Sequence, residues 1–487
     1  MSKLKGRIPG LVISVVLAVI TVLFLIVLVG SQMLPTKMLL LGSAAILLIA
    51  AAAVLLVRNT AYKVQFVFGT IIAVALAAVL ALGGSYLQMT MNTLTEISNV
   101  RTQYTPVGLY VRVDDPAESV EDVRDYSFGI LETLDRENTD SILAQLSDAY
   151  GVEVTPQAFV GMTDMVDSLL NGETGVIVLN TAYVDVLTEL SGYEDIESQI
   201  RELDVLRVEQ IVEETTVEED ETVEFEDKVY TIYISGSDSR EGLNSPGRSD
   251  VNILATVNTE TRQVLLVTTP RDYYVPLSIS GGVPDKLTHA GIYGVDVSID
   301  TLEMLYETEI DYYFRVDFTG FKGIVDALGG ITVQNDIAFS ARGYDYPVGT
   351  LEMEGDEALQ FARERKSFVD GDIQRGKNQL KVITAVIDKA LSPDILMKYT
   401  GILESVEDCF QTNLPYSDIA GLVRRQLEDN RSWNIVQYSV SGTGDKQIPY
   451  SMGSYAYVMQ PDYDTVNKAI ELINKVQNGE FVVVSED

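Results

Sequence analysis

Three long uncharged apolar runs near the start of this 487-residue chain restrict its fold more than any other feature of the sequence. The runs cover residues 8–30, 38–57 and 64–84. At about 1.5 Å of rise per residue, a helix of about 20 residues crosses a hydrocarbon core of roughly 30 Å. A cleaved signal peptide would have a shorter apolar core and would not be followed by two more such runs. We therefore predict three transmembrane helices within residues 1–84.

The basic residues of the short connecting segments predict how these helices are oriented. Five of them lie in the N-terminal tail and the second connection: Lys3, Lys5, Arg7, Arg58 and Lys63. The first connection, residues 31–37, has only Lys37. Because Lys and Arg concentrate in cytoplasmic loops, we expect a multi-pass cell-membrane protein with a cytoplasmic N-terminus. The first connection and everything after residue 84 would then be extracytoplasmic.

Charge is distributed as unevenly as hydrophobicity. No Asp or Glu precedes Glu96, and the chain after residue 84 carries all 71 acidic residues but only 29 of the 35 Lys and Arg. This balance excludes a general nucleic-acid binder, which needs a broad basic surface. The single Cys and single His exclude an intrachain disulfide and a Cys/His zinc site. Chemistry must therefore rely on carboxylates, arginines, hydroxyls or a cation with oxygen ligands.

The outer part of the chain divides into a small and a larger α/β unit. Residues 85–105 predict a helical connector, and residues 106–205 mix strand-like and helical patterns typical of a small accessory domain. Residues 206–228 are densely acidic and are interpreted as a linker or an edge strand. Residues 229–487 alternate apolar strands with helices, which predicts a mixed central sheet covered by helices on both faces. The accessory domain shows no chemical constellation, so we expect it to give structural support.

Several helical patterns are predicted in the two units. In the accessory domain they cover residues near 118–135 and 181–203. In the larger unit a helix is predicted over 354–367, which would place Arg363 and Lys366 on the same side.

Three polar clusters interrupt the larger unit at predicted strand ends and helix starts, in residues 236–250, 268–272 and 361–379. They contain half of the arginines of residues 229–487, namely Arg240, Arg248, Arg271, Arg363, Arg365 and Arg375. Open α/β sheets bind ligands at strand ends, and the guanidinium fork matches phosphate oxygens. The clusters therefore predict a phosphate site, with paired surface Arg–Asp bridges as the alternative.

Other residues of this unit allow two interpretations each. Asp238 and Asp250 fall on adjacent strands and suit Mg²⁺, which bridges protein oxygens and substrate phosphate. His289 is either a general base or, as we favour, a structural hydrogen-bonding residue. The broad apolar stripe within 373–391 predicts core packing or a slot for an apolar lipid tail.

The motifs of this unit resemble the LytR-CpsA-Psr (LCP) family of bacterial cell-envelope proteins. They occur in order within residues 229–391 as GSDSR, GRSD, TTPRD, KLTHA, GGITV, LEMEGDEALQFARERK and GDIQRGKNQ. The three spans and the accessory domain resemble the CpsA subgroup, which is encoded with capsule genes in Gram-positive bacteria. The resemblance implies an α/β/α layered LCP domain with a deep apolar pocket for a polyprenyl chain. The implied activity is Mg²⁺-dependent transfer of a glycopolymer, here capsular polysaccharide, from undecaprenyl pyrophosphate to a hydroxyl of peptidoglycan.

The resemblance also implies roles for individual residues. Asp238 and Asp250 would hold Mg²⁺. The pyrophosphate would be bound by Arg248, Arg271, Arg363, Arg365, Arg375 and Gln379. Arg271, Asp272 and Asp372 are the candidate catalytic residues, and each of the two aspartates would orient an arginine or act as a base.

Two other functions remain open at this point. One is a non-catalytic sensor that binds lipid-linked sugar and regulates capsule synthesis through the membrane helices. The other is a polyprenyl pyrophosphatase that releases free polymer. In each case the expected partners include the membrane and a polyprenyl-linked glycan, with peptidoglycan as the acceptor for the transferase.

Overall fold

The computed structural model describes residues 7–59, 62–98, 103–151, 154–210, 228–237, 242–369, 371–392, 406, 409–429 and 431–484. Its α-helices are α1 (Arg7–Gly30), α2 (Thr36–Arg58), α3 (Lys63–Ser98), α4 (Arg136–Tyr150), α5 (Met162–Leu170), α6 (Ala182–Leu187), α7 (Leu287–Ala290), α8 (Val295–Tyr306), α9 (Phe318–Ala327), α10 (Gly355–Arg363), α11 (Gly371–Ala390), α12 (Tyr416–Asp429) and α13 (Tyr463–Gln477). Its strands are β1 (Gln103–Arg112), β2 (Phe128–Leu131), β3 (Pro156–Phe159), β4 (Val176–Asn180), β5 (Ile200–Gln210), β6 (Val229–Ser237), β7 (Ser249–Asn258), β8 (Gln263–Thr268), β9 (Tyr274–Pro276), β10 (Pro284–Lys286), β11 (Tyr312–Asp317), β12 (Ile331–Asn335), β13 (Phe339–Ala341), β14 (Tyr344–Tyr346), β15 (Gly349–Met353), β16 (Phe410–Thr412), β17 (Asn434–Ser439), β18 (Gly442–Gln447) and β19 (Ala456–Pro461).

Helices α1, α2 and α3 are long and apolar enough to cross a membrane, over Ile8–Gly30, Thr36–Arg58 and Lys63–Asn92. Most of their large apolar side chains point outward. Such a surface is unfavourable in water and favourable in lipid, which supports the predicted membrane anchor.

The accessory domain is built on a five-stranded sheet with the order β3-β2-β4-β1-β5. Strand β1 lies antiparallel to β4 and β5, whereas β2 lies parallel to β3 and β4. Apolar residues of α4 pack on one face of this sheet and those of α5 on the other. Strand β5 extends to Gln210 at the sheet edge, whereas the acidic residues 211–227 lie outside the described residues.

The larger unit contains a six-stranded sheet with the order β16-β11-β6-β7-β8-β17. Strand β11 is parallel to β6 and β17 is parallel to β8, while the other neighbours are antiparallel. The short connection after Asn258 joins the antiparallel strands β7 and β8. This mixed sheet agrees with the fold class predicted from the sequence.

Alternate residues of the central strands face two different helical layers. On β7, Leu254 packs with α8 and α13, whereas Ile253 and Ala255 pack against Leu380 of α11. Because side chains of a strand alternate between its two faces, a sheet covered on both sides needs apolar residues at consecutive positions. The α/β/α layering is therefore confirmed.

Three local predictions were wrong. The segment predicted as helical near 118–135 contains the buried strand β2, and residues 181–203 form only the short α6 before β5 begins at Ile200. Helix α10 ends at Arg363 rather than continuing to residue 367, because Glu364 adopts extended backbone angles of φ −69° and ψ 130°. Arg363 and Lys366 are therefore not neighbours on one helical face.

Candidate functional site

A cavity of about 480 Å³ lies where the carboxyl end of β6 and the start of β7 meet α9, α10 and α11. One part of its wall is apolar, and includes Ile234, Val251, Val316, Phe318, Phe321, Leu359, Val382 and Ile383. The other part is strongly basic, and includes Arg271, Arg342, Arg363, Arg365, Lys366 and Arg375. An apolar compartment next to a cationic patch suits a ligand that has an apolar tail and an anionic headgroup.

The cavity brings together most of the residues that the sequence assigned to phosphate binding. Arg271, Arg363, Arg365, Arg375 and Gln379 all line it. They come from three separate parts of the chain, namely the turn after β8, the end of α10 and the first turns of α11.

Arg248 takes a different position from the other predicted phosphate ligands, because it is not among the residues that line the cavity. Its guanidinium lies beside the cavity, where Arg248 Nη1 contacts Glu189 Oε1 at 2.8 Å.

Arg271 is the centre of the ion-pair network at the basic wall. Its Nη1 donates to Asp250 Oδ1 at 2.9 Å, and its Nε lies 3.6 Å from Asp272 Oδ2. The backbone N–H of Thr288 donates to the Arg271 carbonyl at 2.9 Å. This bond ties the turn that carries Arg271 to α7. Only 11% of the Arg271 side chain is exposed, so these contacts fix the direction of its guanidinium fork.

Arg375 and Arg365 share a second carboxylate, that of Asp372. Arg375 Nη2 lies 3.0 Å from Asp372 Oδ1, and Arg365 Nη1 lies 3.5 Å from the same oxygen. Burial lowers the pKa of Arg375, while Asp372 acts in the opposite direction. Because Asp372 sits between two cations, its geometry favours orienting these arginines over acting as a base. The same holds for Asp272, which is 2% exposed and lies against Arg271 and Lys286.

Arg363 is held by an aromatic ring of the cavity wall. Its guanidinium carbon lies 4.0 Å from the centre of the Phe318 ring, a distance typical of a cation–π contact. This contact places a cation at the border between the apolar and basic parts of the cavity.

Of the two predicted metal ligands, Asp250 lines the cavity and Asp238 lies outside the described residues. Burial alone would raise the pKa of Asp250, but the nearby charges of Arg271, Arg248 and Arg375 outweigh burial and lower it. Asp250 thus presents an anionic carboxylate among the arginines of the basic wall. Mg²⁺ is commonly held by one or two carboxylates together with substrate phosphates, so this donor set suits it. Within the described residues no group of three or more His, Cys, Asp or Glu forms a metal cluster.

His289 lies away from the cavity wall in a fully buried hydrogen-bond network. Its Nδ1 lies 2.7 Å from Asp285 Oδ1 and 2.8 Å from Ser451 Oγ, and the Ser451 N–H donates to Asp285 Oδ2 at 2.9 Å. The network joins α7 to the segment before β19. This geometry favours the structural interpretation of His289 over the general-base one.

Sequence reasoning missed two charged residues of the site, Glu189 and Lys286. Glu189 follows α6 of the accessory domain, and its Oε2 accepts from Lys286 Nζ at 2.6 Å. Its Oε1 lies 3.4 Å from Arg271 Nη2, in addition to the Arg248 contact. Lys286 was visible as part of the KLTHA motif, whereas nothing around Glu189 in the sequence marks it.

Glu189 predicts a pH dependence of stability. Burial would raise the pKa of Glu189, but the charges of Lys286, Arg271 and Arg248 lower it from 4.5 to about 2. A depressed carboxyl pKa contributes stability above the unfolded-state value, and this contribution is lost as pH falls from 4.5 to about 2. We expect the urea midpoint of the wild type to exceed that of Glu189→Gln at pH 7, and the difference to shrink over this acidic window. A difference in urea midpoint that stays constant down to pH 2 would contradict the lowered pKa of Glu189.

Comparisons with known proteins find one family model and several relatives that match the second half of the chain. The LytR_cpsA_psr family model matches residues 205–471. The chain is 33% identical over 218 residues to the polyisoprenyl-teichoic acid–peptidoglycan teichoic acid transferase TagU of Bacillus licheniformis, covering 45% of this chain and 70% of that protein. It is 35% identical over 222 residues to TagU of Enterococcus faecalis, covering 45% of this chain and 72% of that protein. The crystal structure of B. subtilis TagV aligns at 26% identity with a TM-score of 0.45, over 52% of this chain and 99% of that chain.

Proposed function

Because the chain belongs to the LytR-CpsA-Psr family, we propose that it is a membrane-anchored phosphotransferase that attaches a glycopolymer from an undecaprenyl-pyrophosphate carrier to peptidoglycan. The observation that carries the proposal is the convergence of five arginines on one end of an apolar cavity. Two relatives named as teichoic acid transferases support the reaction type. The accessory domain and the three membrane helices support capsular polysaccharide as the polymer, through the resemblance to the capsule-locus subgroup.

The proposed reaction replaces a phosphoanhydride bond with a phosphate ester bond. A peptidoglycan hydroxyl attacks the phosphorus that carries the sugar, and the bond from that phosphorus to the bridging oxygen breaks. Undecaprenyl phosphate leaves with the bridging oxygen, the proton of the hydroxyl passes to solvent, and a phosphodiester joins polymer to peptidoglycan. Phosphoryl transfer needs alignment and charge stabilisation more than covalent help from the protein. Arg271 and Arg375, both fixed by carboxylates, supply such preorganised charge.

Mg²⁺ is the proposed cofactor, with Asp250 and Asp238 as its protein ligands. When bound, the ion would neutralise charge on the pyrophosphate oxygens. Asp250 is well placed to hold it, because the carboxylate lines the cavity beside Arg271.

We expect transfer activity to depend on a divalent cation through Asp250. Removing Mg²⁺ with a chelator should abolish transfer, and readded Mg²⁺ should restore it. Asp250→Asn should need at least about tenfold more Mg²⁺ for half-maximal rate, because one anionic ligand is lost. The surface variant Asp140→Asn, on α4 of the accessory domain, is the matched control and should keep the wild-type Mg²⁺ dependence. Full activity of Asp250→Asn in the presence of chelator would contradict the metal assignment.

The proposed topology places the cavity outside the cell, next to the membrane. Tyr416 OH of α12 donates to the carbonyl of Ser31 at 2.8 Å, and Met33 packs with Ala420 of the same helix. The first connection and the large domain are therefore on the same side of the membrane helices. The contact is consistent with three spans, and the basic residues of the tail and the second connection assign the N-terminus to the cytoplasm and this end to the outside.

The proposal is tested by mixing the purified full-length protein in detergent with Mg²⁺, a radiolabelled undecaprenyl-pyrophosphate polysaccharide and peptidoglycan oligomers. Label that moves to peptidoglycan supports the transferase. Label that is released as free polymer, with or without acceptor, would identify a pyrophosphatase instead. Lipid binding without either product would identify a sensor. Parallel donors that carry capsular repeat units and teichoic acid distinguish the two polymers.

A further inference from the structure

One residue of the accessory domain reaches the arginines of the large domain. The Glu189 carboxylate lies within 2.6–3.4 Å of Lys286, Arg248 and Arg271. These three cations come from the segment before β7, the turn after β8 and the end of β10. A single carboxylate therefore ties together three separate parts of the domain that forms the cavity.

The backbone that carries Glu189 is fixed by an apolar interface between the two domains. Leu187 and Leu190, on either side of Glu189, are buried in one cluster with Ile292 and Met452 of the large domain. In the same interface, Tyr183 OH donates to Tyr293 OH at 2.8 Å. Glu189 is thus held against the arginines by packing of its neighbours, and its position does not depend on the ion pairs alone.

Glu189 does not occupy the place of the phosphate. Arg271, Asp250 and Arg375 line the cavity, whereas Glu189, Lys286 and Arg248 are absent from its wall. Arg271 therefore directs Nη1 to Asp250 at the cavity and Nη2 to Glu189 behind it. A carboxylate that competed with the substrate would line the cavity, as Glu189 does not.

We propose that Glu189 is a positioning residue through which the accessory domain orients Arg271 toward the pyrophosphate, while Arg248 and Lys286 hold the Glu189 carboxylate. The inference rests on the proposed transferase activity and assigns the accessory domain a direct part in it. The carboxylate accepts from both guanidinium groups at Oε1 and from Lys286 at Oε2, so each cation loses rotational freedom before the substrate arrives. Preorganised donors are effective because they need no rearrangement when charge develops in the transition state.

The test compares Glu189→Gln and Glu189→Asp with the wild type, using the full-length protein in the transfer assay. We expect Glu189→Gln to lower kcat at least about tenfold with less than about a threefold change in KM, because a neutral amide cannot hold two guanidinium groups in place. Glu189→Asp keeps the charge and should recover part of the rate. Glu173→Gln, an exposed glutamate on the same domain, is the matched control and should keep wild-type rates.

A double-mutant cycle distinguishes positioning from a general loss of structure. If Glu189 acts through Arg271, the effect of Glu189→Gln should be smaller in an Arg271→Met background than in the wild type. Equal effects in both backgrounds would overturn the proposal, as would an unchanged kcat. A faster Glu189→Gln with tighter pyrophosphate binding would also overturn it, because that result identifies Glu189 as an inhibitory anion.

Binding of inorganic pyrophosphate separates this inference from the proposed function. If the wild type transfers no polymer, the proposed function fails, but calorimetric titration with pyrophosphate and Mg²⁺ still tests Glu189. Positioning then predicts non-additive effects of Glu189→Gln and Arg271→Met on the pyrophosphate Kd. Additive effects would reject it independently of any transfer activity.

Discussion

Replacement of Arg271 with alanine is expected to lower kcat/KM for polymer transfer at least about 30-fold, equivalent to about 2 kcal/mol of transition-state stabilisation. Arg271 lines the cavity and is fixed by Asp250, Asp272 and Glu189, so its loss removes a preorganised donor and leaves these carboxylates without their shared cation. The measurement is the initial rate of label transfer to peptidoglycan at several donor concentrations.

Two further variants complete this test. Arg271→Lys keeps the positive charge but loses the planar fork, so it should recover only part of the rate. Arg136→Ala removes a surface arginine that pairs with Asp140 on α4, and it should leave kcat/KM unchanged. Wild-type activity of Arg271→Ala would mean that the arginines of the cavity do not bind the reacting phosphates.

Replacement of Arg315 with methionine is expected to destabilise the protein by about 3 kcal/mol or more. Arg315 is 4% exposed on β11 and donates to the carbonyls of Leu243 and Ser245 at 2.6 and 2.7 Å. It also donates to Ser237 Oγ at 3.2 Å. Removing the guanidinium leaves buried acceptors unsatisfied, each at a cost of about 1–3 kcal/mol. Because these bonds hold the segment before Arg248, transfer activity should fall as well.

The stability effect is measured as the shift of the urea midpoint, followed by circular dichroism in detergent. Arg136→Ala again serves as the control and should leave the midpoint unchanged, since that arginine pairs at the surface. A midpoint for Arg315→Met equal to that of the wild type would show that the β6–β7 connection does not depend on the buried arginine.

The sequence predicted the features that depend on local pattern. Apolar runs of membrane length identified the three N-terminal helices, and consecutive apolar residues in β7 and β8 identified a sheet covered on both faces. Arginines at strand ends predicted the basic wall, because the topology of open α/β sheets brings strand ends together. Five of the six predicted phosphate ligands line the cavity, the exception being Arg248.

The wrong predictions of strand β2 and of the end of helix α10 have different physical causes. Strand β2 is a short buried run, Phe128–Leu131, and periodicity cannot distinguish such a run from a helical segment. Helix α10 ends early at Glu364, whose side chain accepts from the Ser367 N–H at 2.7 Å, a local bond that competes with helix continuation.

Glu189 could not be predicted for a different reason. Its partners Arg248 and Lys286 are 59 and 97 residues away in the chain, and they meet it only after two domains have docked. A lone glutamate beside two leucines has the same local pattern as many surface glutamates. Only the tertiary arrangement reveals that the accessory domain contributes a charge to the site.

The proposed function requires a pyrophosphate headgroup bound by the arginines beside the apolar cavity. A crystal structure of the protein with undecaprenyl pyrophosphate and Mg²⁺ tests this directly. We predict phosphate density within hydrogen-bonding distance of Arg271 and Arg375, and isoprenoid density along Phe321 and Val382. A headgroup bound elsewhere, with the cavity filled by rearranged side chains, would contradict the proposed function.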